Sequence, residues 1–523
     1  MKIKLLLLAV AISVISSAQM HDLARLAEGS MIYNTIVYDQ ESKVFGYLYL
    51  YEQDVEKKSH TVEYVFLDKN LNKVSNGTFK EPCRTTGFIK SGLAVRYDEC
   101  AVLGDSLVLT KDWYEFYNTY YFKARTYQYL SLKDNSVSKD MYHQNDSLKV
   151  IPELPEDILK MNHTDALRFI YPVQTNYARG LLLLDNEKGK CELVSLGGEK
   201  VWSYQPDSTE YVKTPRLISS FYGNRYYVRL VNDSSVYMAC SKTVKGITES
   251  YVIRKINLVS GRHAWDHVLE TNTDRYVHGL VMRENQGKLY IMGNYVPYNQ
   301  SGVIENKKNL GYHIRILDAQ GKVERINYIK WNKLNGDLAI TPEGKVDKHF
   351  RLHTDRFFVL DDGTVAVLAE KVRPSFRLVI LDLIPIVGTL TSMALGRRNH
   401  VDDFVLFQFD DSLKLHKTHV IAKEMSRSWN SDSDYLFSHY YNDRNGLVFY
   451  YTTEVKNPET KKKETILGIN VYDGEVVQEE RIPLYSPQKF SIIPVPAKEG
   501  YVMLNERNEK EKYNQIRLEK LNY

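Results

Sequence analysis

The sequence predicts an all-β fold, a β-propeller of eight blades with four antiparallel strands in each, and three observations predict it. Segments of four to nine residues rich in Val, Ile, Tyr and Phe recur along the chain between Asp, Asn, Gly and Ser turns, and long amphipathic helical stretches are nearly absent. Turns that follow an apolar strand stand at residues 68, 134, 197, 259, 318, 410 and 473, at gaps of 66, 63, 62, 59, 92 and 63. A period of this size with several strands in it is radial repetition, each unit being a small sheet that buries its faces only against its neighbours. The last period offers three strands, at 490–494, 501–504 and 513–518, and no fourth. A strand from the other terminus would complete it and remove an exposed edge. Seven blades with an appended sheet is the alternative count, and paired β-sandwiches are the alternative architecture.

The elements follow in chain order. Lys2 and Lys4, the apolar stretch 5–15 and the small residues Ser16, Ser17 and Ala18 before Gln19 have the form of a secretory leader, so residues 1–18 are expected to be removed and the protein exported to the periplasm or the exterior. Residues 19–523 then form one propeller domain with an insertion at 371–403. The first blade reads directly as strands at 31–38, 44–51, 61–67 and 73–79. Cys83 and Cys100 bracket the apolar stretch 87–95, and in an oxidising compartment a bridge between them would close a hairpin; four buried free thiols are the alternative. Next comes the densest aromatic stretch, which includes Trp113, Tyr114, Phe116, Tyr117, Tyr120, Tyr121 and Phe122. Rings on one face, with Trp113, Tyr114 and Tyr117 as the candidates, would stack on a sugar or a peptide; cross-strand packing inside blade two is the competing reading. The run 155–159, with Pro first and two acids behind it, predicts a helix of one or two turns.

The 92-residue gap exceeds the period by about 30 and contains the stretch LVILDLIPIVGTLTSMAL at 378–395, which has one charge and arginines on either side. Pro385 and Gly388 interrupt it as a helix, and a membrane span here would put parts of one propeller on opposite sides of a bilayer. It is expected to pack on its own blade, or to offer Leu383, Ile384, Ile386 and Val387 to a partner or to a membrane surface.

Chemical signatures are sparse. No nucleophile elbow, zinc-protease helix or phosphate loop is present. His349 and His353 fall in a strand pattern, as do His416 and His419, whose odd spacing points them to opposite faces. The loop 430–434 alternates oxygen ligands, but Tyr435 and Tyr441 occupy the positions where a calcium loop needs Gly and Glu. No cofactor or metal is implied. The formal charge of +4, or +2 once Lys2 and Lys4 are removed, gives no basic face for nucleic acid. Tyrosine is the unusual residue, with 39 Tyr against 18 Phe.

From Tyr38 through FGYLYLYE to EYVFLDKNLNKVSNGTF the chain resembles exported Bacteroidota propeller-like proteins of unknown function. The resemblance implies architecture and location rather than activity. The expected function is non-enzymatic binding or scaffolding at the cell envelope, with face loops and the insertion recognising a protein or glycan partner. The alternatives are a carbohydrate-active enzyme with carboxylates in a central funnel, and a peripheral membrane-surface protein.

Overall fold

A computed structural model of the chain describes residues 20–521 apart from 40–42, 57, 87–90, 118, 145–146, 162–167, 186–187, 207–225, 245–246, 271–274, 298–308, 335, 337, 348, 375–398, 425, 429–436, 442–445, 457–460, 462, 476, 485–490 and 509–512. The described residues form eight small antiparallel sheets, and the fold is an eight-bladed β-propeller. Blade 1 consists of Ser30–Tyr38, Val44–Val55, Ser59–Asp68 and Lys73–Pro82. Blade 2 is built on Ser91–Leu103, Ser106–Tyr117, Thr119–Ser131 and Met141–Gln144, with short edge strands Arg84–Thr86 and Ser147–Val150. Blade 3 has Arg168–Gln174, Arg179–Asp185, Cys191–Val194 and Lys200–Tyr204, and blade 4 has Tyr226–Val231, Ser235–Val244, Ile247–Asn257 and His263–Glu270. Blade 5 comprises Arg275–Asn285, Lys288–Pro297, Gly311–Leu317 and Val323–Lys330. Blade 6 is built on Phe350–Val359, Val365–Pro374, Asn399–Phe409 and Leu415–Ile421, and blade 7 on Phe437–Tyr441, Gly446–Lys456, Lys463–Tyr472 and Val477–Leu484.

Blade 8 takes Ser491–Pro496, Tyr501–Asn508 and Tyr513–Lys520 from the end of the chain and Met20–Asp22 from its beginning. The N-terminal strand lies antiparallel to the last one, Met20 opposite Arg517 and Asp22 opposite Gln515. Leu23, just after it, is buried with Tyr47, Met503, Ile516 and Leu518, so apolar burial backs the pairing. The chain comprises two compact units, Met1–Leu183 with Leu193–Val201 and Ser486–Tyr523, and Leu184–Glu192 with Trp202–Tyr485.

The period seen in the sequence is a chemical one. At the turn between third and fourth strands, the Asp68 carboxylate accepts hydrogen bonds from the backbone N–H groups of Asn70 and Asn72, both at 2.8 Å. Asp318 does the same for Gln320 and Lys322, and Asp410 for Ser412 and Lys414. Asn257 takes the role in blade 4, bonding Val259 and Ser260. A short side chain that bonds its own backbone two residues on holds the turn, which is why Asp or Asn recurs there.

The preceding blade uses the same turns. The Trp202 indole N–H donates to the Leu258 carbonyl at 2.7 Å, and the Trp265 indole N–H donates to the Ala319 carbonyl at 3.0 Å. Each ring lies over a glycine of that turn, Gly261 (φ +68°) and Gly321 (φ +79°), where an added Cβ would come within 2.6 Å of the indole. Ser75, donating to Asn135, and Asn327, donating to the Leu413 carbonyl, join blade 1 to 2 and blade 5 to 6 in the same register.

Second strands are buried on both faces, so they read as continuous apolar runs rather than alternating ones. Leu181, Leu182, Leu183 and Leu184 are all buried, and so are Tyr47, Tyr49 and Tyr51. This explains the tyrosines. Tyr47 donates to the Pro496 carbonyl, Tyr51 to the Leu23 carbonyl and Tyr237 to Glu284, so the ring fills a seam while the hydroxyl satisfies a neighbouring blade or terminus.

One expectation changes: Cys83 and Cys100 form no bridge. Arg84 pairs with Leu93, which leaves Cys100 six residues further along the same strand than the position facing Cys83, about 20 Å away at strand rise. A disulfide needs Cα atoms within about 7 Å. Cys100 instead packs with Leu48, Val62 and Leu107, and burial pushes its thiol pKa far up. The insertion joins the second and third strands of blade 6, where Pro374 pairs with Asn399; Leu383, Ile384, Ile386 and Val387 lie outside the described residues.

Candidate functional site

The second and third strands of blade 2 form a long hairpin in which Asp112 faces Arg125, Tyr114 faces Phe122 and Phe116 faces Tyr120. Opposed residues share a face and strand positions alternate, so Asp112, Tyr114, Phe116, Tyr120, Phe122 and Arg125 lie together. A register shift beside Trp113 absorbs the odd spacing between Phe122 and Arg125. On the other side, the first strand brings Arg96 opposite Asp112, Ala94 opposite Tyr114 and Gly92 opposite Phe116. Two small residues therefore flank the rings and leave that side open.

The rings pack edge to face or tilted rather than flat. Tyr114 and Phe122 have centroids 5.7 Å apart at 82°, Tyr114 and Tyr120 6.0 Å apart at 86°, and Phe116 and Tyr120 4.9 Å apart at 49°. Tyr120 remains 67% exposed, which makes it the most accessible ring of the four. Cross-strand packing thus organises the cluster without covering it.

An ionic cluster ends the strip. The buried Asp112 carboxylate accepts from Arg125 Nε at 2.6 Å and Arg125 Nη2 at 2.9 Å, from Arg96 Nη2 at 2.9 Å and from the Tyr114 hydroxyl at 3.2 Å. Arg125 also lies 3.2 Å from Asp98 and stands over the Phe169 ring. Burial lowers the pKa of Arg125, but its bonds and charge pairing with Asp112 outweigh this and raise it overall. Tyr114 is raised by burial and by Asp112. Arg96 keeps 60% of its side chain in solvent and lies 5.6 Å from the Tyr114 ring centre, so it is the accessible cation of the strip.

The opposite face of the hairpin is structural. Trp113 is fully buried among Leu93, Ala124, Tyr142 and Ile158 and donates to Thr126 at 2.9 Å, so of the three rings expected to stack it is not accessible. Tyr114 is on the strip, and the Tyr117 side chain lies outside the described residues. Lys123 bonds Glu115 and the Leu159 carbonyl, tying down the five-residue helix Pro155–Leu159. Lys111, with no exposed side-chain surface, lies 2.6 Å from Glu81 and 3.0 Å from Asp140 and bonds Gln128 at 2.8 Å. Glu81 also accepts from Tyr97 and meets His60, whose other ring nitrogen is 2.6 Å from Glu52. Burial works against the Glu81 anion, but Lys111, His60 and Tyr97 overcome it and depress its pKa. Asp140, the second claimant on the same ammonium, is raised by burial and by the Glu81 charge.

Sequence reasoning missed Arg96, Asp98, Asp112 and Arg125. The alternation Asp112-x-Tyr114-x-Phe116 marked one end of the strip, while the first-strand partners came from register alone. His353 lies on the first strand of blade 6, His416 and His419 lie on its fourth, and the 430–434 loop is outside the described residues. Among the described residues no group of three or more His, Cys, Asp or Glu is placed to hold a metal ion.

Solved structures similar to the chain include the WD40 domain of SCAP from fission yeast, at 9% identity over 96% of this chain and 94% of that one, with a TM-score of 0.37. Polysaccharide lyase Uly1 is similar at 10% identity over 95% and 91%, TM-score 0.33, and prolyl oligopeptidase B from Galerina marginata at 9% over 92% and 55%, TM-score 0.35. No curated protein matches the chain in sequence. A family model does match, over residues 1–522: the chain belongs to a family of unknown function, DUF6770.

Proposed function

We propose that this member of the DUF6770 family is a non-catalytic binding propeller of the cell envelope that recognises a glycan through the aromatic strip of blade 2. The observation that carries the reading is the row Tyr114, Phe116, Tyr120 and Phe122, open along Ala94 and Gly92 and ending on the accessible Arg96. Ring faces and edges offer apolar contact to the C–H surface of a sugar, and a guanidinium at the end supplies hydrogen bonds that fix its orientation. The non-catalytic reading is supported by the state of Asp112. Four hydrogen bonds from Arg96, Arg125 and Tyr114 occupy its carboxylate, with no lone pair free for a general acid or base. The leader-like residues 1–18 support export.

A glycan array probed with the purified chain and with its Tyr120→Ala form tests this. The expected result is a bound glycan whose affinity falls about tenfold in the variant, with an unchanged unfolding midpoint because Tyr120 is two-thirds exposed. Equal binding by both forms would remove the strip from the site. Release of shortened glycan would replace binding with catalysis.

A further inference from the structure

The first strands of blades 4, 5 and 6, within the second compact unit, are neighbours in space. Each bears an arginine at nearly the same level. Arg229 is two residues before the strand end at Val231, Arg283 two before Asn285, and Arg356 three before Val359. All three are exposed.

Backbone irregularity accompanies the row. Pairing shifts between Val228 and Leu230, between His278 and Val281, and between Thr354 and Arg356, so every one of these strands has a bulge close to its arginine. A bulge turns side chains out of the regular alternation, and such irregularities concentrate where a strand serves a ligand. Arg283 is exposed, yet surrounding protein desolvates it enough to lower its pKa, with the charge of Arg356 adding to the effect. Among the described residues no carboxylate lies within ion-pair distance of Arg229 or Arg283. Arg229 stands instead over the Tyr227 ring, 5.0 Å from its centre.

We propose that Arg229, Arg283 and Arg356 form a receptor for an acidic polysaccharide whose carboxylates meet the three guanidinium groups in turn. No described carboxylate neutralises Arg229 or Arg283, and an anion laid along the row supplies the missing counter-charge. Packed sheets lie about 10 Å apart, so a ligand that reaches all three arginines carries several anionic groups along a chain. Guanidinium matches carboxylate in a planar two-bond geometry that lysine cannot supply. The Tyr227 ring beside Arg229 adds an aromatic surface against which a pyranose stacks, which favours a uronate polymer over an acidic peptide. This site is independent of the aromatic strip in blade 2.

The test is titration of the full chain with polygalacturonate, with poly-glutamate and an uncharged glucan as comparison arms, at 50 and 300 mM salt. Polygalacturonate is expected to bind, more weakly at high salt, and the Arg229→Gln/Arg283→Gln/Arg356→Gln chain to lose at least tenfold in affinity. Arg325→Gln, on the fourth strand of blade 5 and paired there with Asp411, is expected to bind as the unaltered chain does. An unfolding midpoint within error of the unaltered chain establishes that the triple variant is folded, and single variants replace it if it is not. No polygalacturonate binding, equal loss in Arg325→Gln, or no loss in the arginine variants would each overturn the proposal. Tighter binding of poly-glutamate would overturn the ligand class.

Discussion

Lys111→Met removes the cation between Glu81 and Asp140 while keeping the length and apolar stem of the side chain. Both carboxylates are buried, and among the described residues Lys111 is the only group that serves the two of them. Glu81 retains Tyr97 and His60. Among the described residues Asp140 retains only Thr126, at 3.3 Å, so it is the group that must take up a proton when the ammonium is gone. Protonating an aspartate of ordinary pKa, about 3.9, costs about 1.36 kcal/mol for each pH unit above that value. The cost is therefore about 4 kcal/mol at pH 7 and about 1.5 kcal/mol at pH 5, and the pH 7 figure agrees with the 3–5 kcal/mol typical of a buried pair broken from one side. Urea unfolding of both chains at the two pH values measures it. The expected result is a destabilisation that shrinks by about 2.5 kcal/mol on acidification, and it should also shrink at pH 7 when Asp140→Asn is added. A cost below about 1 kcal/mol, or one that is the same at pH 5 and pH 7, would refute the assignment of Lys111 as counter-ion to buried charges.

Two further predictions address the seams and the histidine. Gly261→Ala puts a Cβ against the Trp202 ring in a left-handed backbone, whereas Gly287→Ala has a similar φ of +76° and open space around it. Strain alone should cost about 1 kcal/mol at Gly287 and strain plus the clash about 2–3 kcal/mol at Gly261, read as urea midpoints; equal costs would mean that Trp202 does not seat on the turn. Burial pulls the pKa of His60 down, but Glu81 and Glu52 prevail and hold it above its ordinary value. Its charge therefore stabilises the fold fully below about pH 6.5 and progressively less as pH rises through the folded pKa. The stability advantage over His60→Gln should accordingly fall between pH 6 and 9, and an advantage that grows with pH would reverse the sign of the argument.

The sequence by itself determined the all-β repeat of four-stranded units, and it favoured eight blades closed by a borrowed terminal strand. Those features are local. An Asp or Asn that bonds its own turn repeats at Asp68, Asn257, Asp318 and Asp410 whatever lies beside it, and apolar runs such as 181–184 declare burial on both faces without reference to a partner. An incomplete last blade follows from counting, and Met20–Asp22 supplies what it lacked.

Tertiary structure decided everything that depends on register between strands. Trp113 and Tyr114 are adjacent in sequence, yet one is sealed against Ile158 and the other lies on the open strip, because neighbouring strand positions face opposite ways and only packing tells which way is out. Glu81 and Lys111 belong to different blades and look like ordinary surface charges until the two blades meet. Cys83 and Cys100 looked like a pair because spacing along the chain is visible, while the pairing of Arg84 with Leu93 that separates them is not. Arg229, Arg283 and Arg356 are more than fifty residues apart from one to the next. They become a row only because neighbouring blades set their first strands side by side.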